Sequence, residues 1–101
     1  MSQPATDTEQ LTEQAELLKA LAHPVRLAML GLFSREGALT VTEIHQKLNL
    51  EQAAASHHLG ILKSRGIVRV ERDGRNSVYA LRHTCLSQIL LCLNQCQPPA
   101  L

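Results

Sequence analysis

The sequence predicts a mainly α domain that carries one small β-hairpin, and three observations point there. Across residues 51–65, Ala55, Leu59 and Leu62 recur at i, i+4 and i+7, a single helical stripe that must face a core. Directly afterwards Ile67, Val68 and Val70 lead into Arg72, Asp73, Gly74 and Arg75, with Val78 and Tyr79 on the far side; Asp-Gly between β-formers is a strong hairpin signal. The remaining apolar residues fall into short segments of helical spacing, punctuated by proline and glycine.

Taken in order, residues 1–8 are polar, contain Pro4 and predict a mobile tail. From Glu9, Leu11, Leu18 and Leu21 with Ala15 and Ala22 mark an amphipathic helix that ends near His23 and Pro24, where proline disfavours helix before it and suits the first turn of a new one. His23 is expected to pack or cap at that junction. A second helix over 25–33 is apolar nearly all round (Val25, Leu27, Met29, Leu30, Leu32, Phe33) and should be central. Ser34, Arg35, Glu36 and Gly37 read as a turn, and Leu39, Thr40 and Val41 as a short strand. Thr42 is the predicted N-cap of a helix over 43–48, with Ile44 and Leu48 inward and His45 on a solvated face. Asn49 and Leu50 connect it tightly to the helix at Glu51, which stops at Gly66. Residues 84–97 are again helical and Leu-rich before Pro98 and Pro99.

Two short helices joined by a few residues form a helix-turn-helix, and the hairpin adds a wing. The prediction is one winged helix-turn-helix domain over 9–97, with 98–101 as a C-terminal tail. A Leu-rich last helix in so small a domain has more apolar surface than a monomer covers, so a homodimer through the first and last helices is expected.

Composition narrows the function. With 101 residues, the chain is long enough for one core. It has no run of eighteen apolar residues and no basic-then-apolar start, which predicts a cytoplasmic protein away from membranes. Three cysteines, an odd number, fit reduced thiols rather than a disulfide framework. Gly-rich phosphate loops are absent and no nucleophile–base pairing is legible, so an enzyme is not expected.

The outer face of the 51–65 helix presents Gln52, Ala53, Ser56, His57 and Lys63, which are short or hydrogen-bonding rather than merely solubilising. Six basic residues follow between 63 and 82 (Lys63, Arg65, Arg69, Arg72, Arg75, Arg82) against Glu71 and Asp73, a local balance of +4 in a chain of net +1. Such a patch beside a polar helix face suits phosphate. One Phe, one Tyr and no Trp give little for single-stranded bases to stack on, so double-stranded DNA is the expected partner.

The segments HPVRLAML, LTVTEIHQKLNL, SHHLGILKSRGIV and RDGRNSVYAL, in this order, resemble the ArsR/SmtB family of bacterial metal- and stress-responsive repressors, over about residues 9–96. The resemblance implies a homodimeric winged helix that occupies a palindromic operator and leaves it when an inducer binds. It assigns Gln52, Ala53, Ser56 and His57 to the major groove, and Arg72 and Arg75 to the wing's approach to phosphate or minor groove. The chemistry agrees: Gln pairs with adenine, Ser serves either base, and arginines follow the backbone. Glu51 departs from the family's frequent Ser; it caps poorly, so the cap is open to a shift onto Asn49.

The inducer sites match less well. Where the family's metalloid sensors read Leu-Cys-Val-Cys-Asp-Leu, this chain has Leu39, Thr40, Val41, Thr42, Glu43 and Ile44, and threonine hydroxyls are poor ligands for soft ions. At the positions of a second family site, on the last helix at the dimer interface, stand His83, Cys85, Cys96 and the non-coordinating Pro99, with Cys92 as an extra thiol. Spacings of i, i+7 and i+11 place the three thiols on one helical face. The resemblance therefore offers His83, Cys85, Cys92 and Cys96 as a metal or redox site for Zn(II), Cu(I), As(III) or an oxidant. Two other readings stay open: thiols that only pack in a regulator without such sensing, and a winged helix used for protein contacts. His58 is expected to be structural.

Overall fold

A computed structural model of the chain describes residues 7–96, so most of the expected N-terminal tail, residue 97 and the C-terminal tail with Pro98 and Pro99 lie outside the described residues. Helix α1 (Thr8–Leu21) is capped by Asp7, whose carboxylate accepts from the Gln10 N–H at 3.2 Å. Helix α2 (Pro24–Glu36) starts on proline, with His23 extended before it and its Nδ1 accepting from the Val25 N–H at 3.1 Å, the capping role expected of that residue. Met29, Leu30, Gly31, Leu32 and Phe33 of α2 are all buried, which makes this helix the centre of the domain. It runs on through the residues expected to turn. Ser34 ties its hydroxyl to the Leu30 carbonyl at 2.8 Å, and the first residue free to leave the helix is Gly37, at φ 78°.

Strand β1 (Leu39–Thr40) precedes helix α3 (Val41–Lys47), whose N-cap is Thr40 rather than Thr42. Asn49 takes a left-handed turn (φ 55°), and the Leu50 N–H returns to the His45 carbonyl at 2.8 Å. His45 is half-buried, not solvated, with Nδ1 3.1 Å from the Leu50 carbonyl, so it clamps this turn. Helix α4 (Gln52–Ser64) follows, with Ala55, Leu59 and Leu62 fully buried as the spacing predicts. Glu51 is its N-cap residue and provides no side-chain bond, and Asn49 does not replace it.

Strands β2 (Val68–Asp73) and β3 (Asn76–Leu81) form the wing, antiparallel from Val68↔Leu81 to Asp73↔Asn76. The two-residue connection is therefore Gly74 and Arg75, one step beyond the expected Asp-Gly pair, with Gly74 at φ 64° in the first central position. The hairpin is also not alone. Strand β1 pairs with β3 (Leu39↔Tyr79, Thr40↔Val78), giving a three-stranded sheet in the order β1-β3-β2 that fastens the wing to the start of α3.

The last helical segment is broken. A 3-10 turn, Thr84–Leu86, precedes helix α5 (Ser87–Gln95), because Leu86 is drawn into the core and the Ser87 hydroxyl takes the Thr84 carbonyl at 2.9 Å. Leu11, Leu18, Leu91 and Leu93 are exposed, and an apolar groove lined by Leu18, Leu21, Ala22, Leu27, Ile89 and Leu93 opens between α1, α2 and α5. Among the described residues, no single helix is long and apolar enough to cross a membrane.

Candidate nucleic-acid interface

With the Ala55, Leu59 and Leu62 stripe seated in the core, the opposite side of α4 must face outward, and Gln52, Ala53, Ser56, His57 and Lys63 are all exposed on it. The N-terminal end of that face does not stand alone. Gln52 and Ser56 line a polar cleft of about 280 Å³ together with Thr40 and Thr42 at the start of α3 and Arg75, Asn76, Ser77 and Tyr79 from the wing. The β1–β3 pairing creates this cleft, because it holds the wing beside the N-termini of α3 and α4. Three of the residues proposed from sequence, Gln52, Ser56 and Arg75, thus meet in space.

Lys63 belongs to the same outer face but lies roughly 16 Å along the helix from Gln52. Arg72 is exposed near the tip of β2, opposite Ser77. Thr42, Asn76, Ser77 and Tyr79 also line the cleft, and none of them is among the DNA-contact residues expected from sequence. Because Thr40 rather than Thr42 caps α3, the Thr42 side chain is left to line the cleft.

The basic patch is thinner than its composition. Arg65 pairs with Glu16 of α1 at 3.3 Å, and Arg69 pairs with Glu71 two residues along its own strand. Of the six basic residues of this patch, Lys63, Arg72, Arg75 and Arg82 enter no ion pair among the described residues and are open to a phosphate.

The expected inducer residues are placed but not gathered. His83, Cys85, Cys92 and Cys96 are all exposed. Cys85 sits in the 3-10 turn, Cys92 on α5 and Cys96 at its C-cap, so the three thiols do not share one continuous helix. Among the described residues, no group of three or more His, Cys, Asp or Glu converges where a metal ion could be held. The donors are of the right softness for Zn(II), Cu(I) or a metalloid, but within one subunit they do not make a site.

Residues 21–71, from the end of α1 into the wing, match the helix-turn-helix domain family. The regulator NmtR of Mycobacterium tuberculosis (strain H37Rv) is 39% identical over 84 residues, covering 83% of this chain and 69% of NmtR. The repressor SmtB of M. tuberculosis (strain CDC 1551) is 42% identical over 89 residues, covering 87% of this chain and 65% of SmtB. The chain belongs to the ArsR/SmtB family of winged-helix transcriptional repressors. This ArsR/SmtB chain spans about two thirds of the length of those two relatives. In three dimensions it is similar to a homodimeric winged helix-turn-helix DNA-binding domain from Mycobacterium bovis, with a TM-score of 0.80 at 26% identity over 94% of this chain and 87% of that one. In ArsR/SmtB terms, α3 and α4 are the helix-turn-helix, and β2 with β3 is the wing.

Proposed function

We propose that this chain represses transcription as a cytoplasmic homodimer that reads a palindromic operator in duplex DNA and performs no catalysis. The observation that carries this reading is the meeting of Gln52, Ser56 and Arg75 in one polar cleft at the N-terminal end of an exposed, acid-free helix face. Base-reading amide and hydroxyl groups stand there beside a cation that can hold the backbone, the division of labour that sequence-specific binding needs. Dimerisation through α1 and α5 is supported by the apolar groove between them and by the homodimeric M. bovis domain. Two copies then present two reading helices to half-sites one DNA turn apart. The test is selection of duplexes from a randomised pool by the purified chain. Recovery of an inverted repeat with half-sites about one turn apart supports the reading, whereas recovery of no preferred sequence overturns it.

Release by an inducer at the α5 region is the second part of the proposal. Cys85, Cys92 and Cys96 with His83 are the donors that would hold Zn(II), Cu(I) or As(III), and they need a second copy of the chain to complete a site. A soft ion there would link two subunits. The dispersal of the thiols favours a second reading as well, in which an oxidant acts on the exposed thiols without any metal, or the thiols sense nothing.

A further inference from the structure

Arg26 of α2 is tied at both ends of its guanidinium. Its Nε donates to the Ala20 carbonyl, one of the carbonyls that the last turn of α1 leaves without a helical partner. Its Nη1 lies 3.1 Å from Nδ1 of His58, in the middle of α4. A guanidinium has donors only, so Nδ1 of His58 must accept, and the ring must be neutral with its proton on Nε2. The half-buried His58 ring also lies against His23, with centroids 4.5 Å apart, and meets His57 edge-on at 5.3 Å. His23 is itself the cap of α2.

The groups facing His58 are therefore His23 at the cap of α2, Arg26 from α2 and His57 from α4, with no carboxylate among them. Burial, then His23, Arg26 and His57, hold its pKa below the ordinary histidine value. From α1, Glu16 points toward α4, but that carboxylate pairs with Arg65 and Lys19. The bridge joins two surfaces. Leu21 and Leu27, on either side of it, line the apolar groove, and His57, next to His58, is exposed on the reading face.

We infer that Arg26 is a positioning residue for the reading helix, acting through neutral His58, and that proton uptake by His58 frees α4 from the α1–α2 junction and lowers DNA affinity. The inference rests on the DNA-binding reading above. Protonated His58 offers no acceptor and leaves two cations in contact, so the bridge opens. The neighbouring His57, exposed on the reading face, is a second imidazole within reach of the same readouts. A His57→Gln background separates the two.

The experiment uses the full chain in that background from about pH 8 downward well past the ordinary histidine value of about 6.5, because His58 is held below it. Hydrogen exchange of α4 amides, corrected for intrinsic rates, is measured beside anisotropy on a random-sequence duplex at fixed low salt. Acid should lower α4 protection and duplex affinity together, in one step. Adding His58→Gln, which keeps an acceptor but cannot titrate, should remove the step from both readouts. Arg26→Gln should show the loosened α4 already at neutral pH. Arg26→Lys, whose single ammonium cannot span both partners, should do the same where the glutamine variant does not fold. A step that survives His58→Gln overturns the inference, as does unchanged α4 protection while His58 titrates. If no duplex binds at any pH the DNA reading fails, and the exchange step still decides the coupling by itself.

Discussion

Thr40 and Glu43 close the first turn of α3 between them: the Glu43 N–H donates to the Thr40 hydroxyl oxygen at 3.2 Å, and the Glu43 carboxylate accepts from the Thr40 N–H at 2.9 Å. Because Thr40 is also the last residue of β1, this box fixes the wing's anchor strand and the helix-turn-helix at one point. Thr40→Ala should cost about 1 kcal/mol in urea unfolding, while Thr42→Ala, outside the box, should stay within about 0.5 kcal/mol. Equal losses would mean that the cap is misplaced.

The same box makes part of the stability sensitive to acid. Hydrogen bonds from the Thr40 backbone and hydroxyl hold the Glu43 pKa below its ordinary value. A carboxylate depressed in the fold contributes stability that is present above its unfolded pKa and is lost as pH falls through the folded one. Melting temperature should therefore fall from the ordinary glutamate range downward, with a shallower fall in Glu43→Gln. Identical acid profiles for the two proteins would remove Glu43 from the account.

What the sequence made legible was whatever local spacing decides. Ala55, Leu59 and Leu62 had no other face to take, and the left-handed turn at Gly66 (φ 72°) stops α4 where a glycine allows it. The cap of α3 is legible too, since Thr40 and Glu43 stand at the spacing of a capping box, a stronger signal than the lone hydroxyl of Thr42. The β1–β3 pairing joins residues about forty positions apart, and no local pattern specifies it. The turn register was ambiguous for a related reason: both Asp-Gly and Gly-Arg can close a hairpin, and the cross-strand match of Val70 with Tyr79 chooses. Of the candidate site, residue types and helix face were readable, but the cleft and the pairing of Arg65 with Glu16 depend on packing.

Base reading and backbone holding should separate in mutants of the cleft. Gln52→Ala and Ser56→Ala should each lose about 1–3 kcal/mol of discrimination between a selected duplex and a scrambled one, whereas Arg75→Ala should weaken both alike. Competition titrations measure it. Uniform loss in all three would place the reading surface elsewhere.

Salt dependence counts the free cations of the reading face and the wing tip, which leaves out Arg82 beyond the end of β3. If Lys63, Arg72 and Arg75 each meet one phosphate per subunit, the dimer neutralises about six, and the log–log slope of affinity against salt should be about −5. Affinity indifferent to salt would exclude the wing and Lys63 from the backbone contact.

Cys85, Cys92 and Cys96 are all open to solvent, so they contribute little to the core, and replacing all three by serine should leave the fold intact. Cys92 and Cys96 are one helical turn apart, while Cys85 stands across the break between the 3-10 turn and α5. A sensor built from them must therefore draw on a second subunit. A ligand or disulfide spanning two subunits would favour one relative orientation of their reading helices, and so change the spacing offered to two half-sites. Adding Zn(II), Cu(I), As(III) or peroxide separately to the reduced protein on its selected duplex should release the wild type with one of them and the triple serine variant with none. Restoration by chelator identifies metal, and restoration by reductant identifies a disulfide. Should the serine variant respond to the same inducer as the wild type, sensing belongs to another part of the chain and the thiols are bystanders on α5.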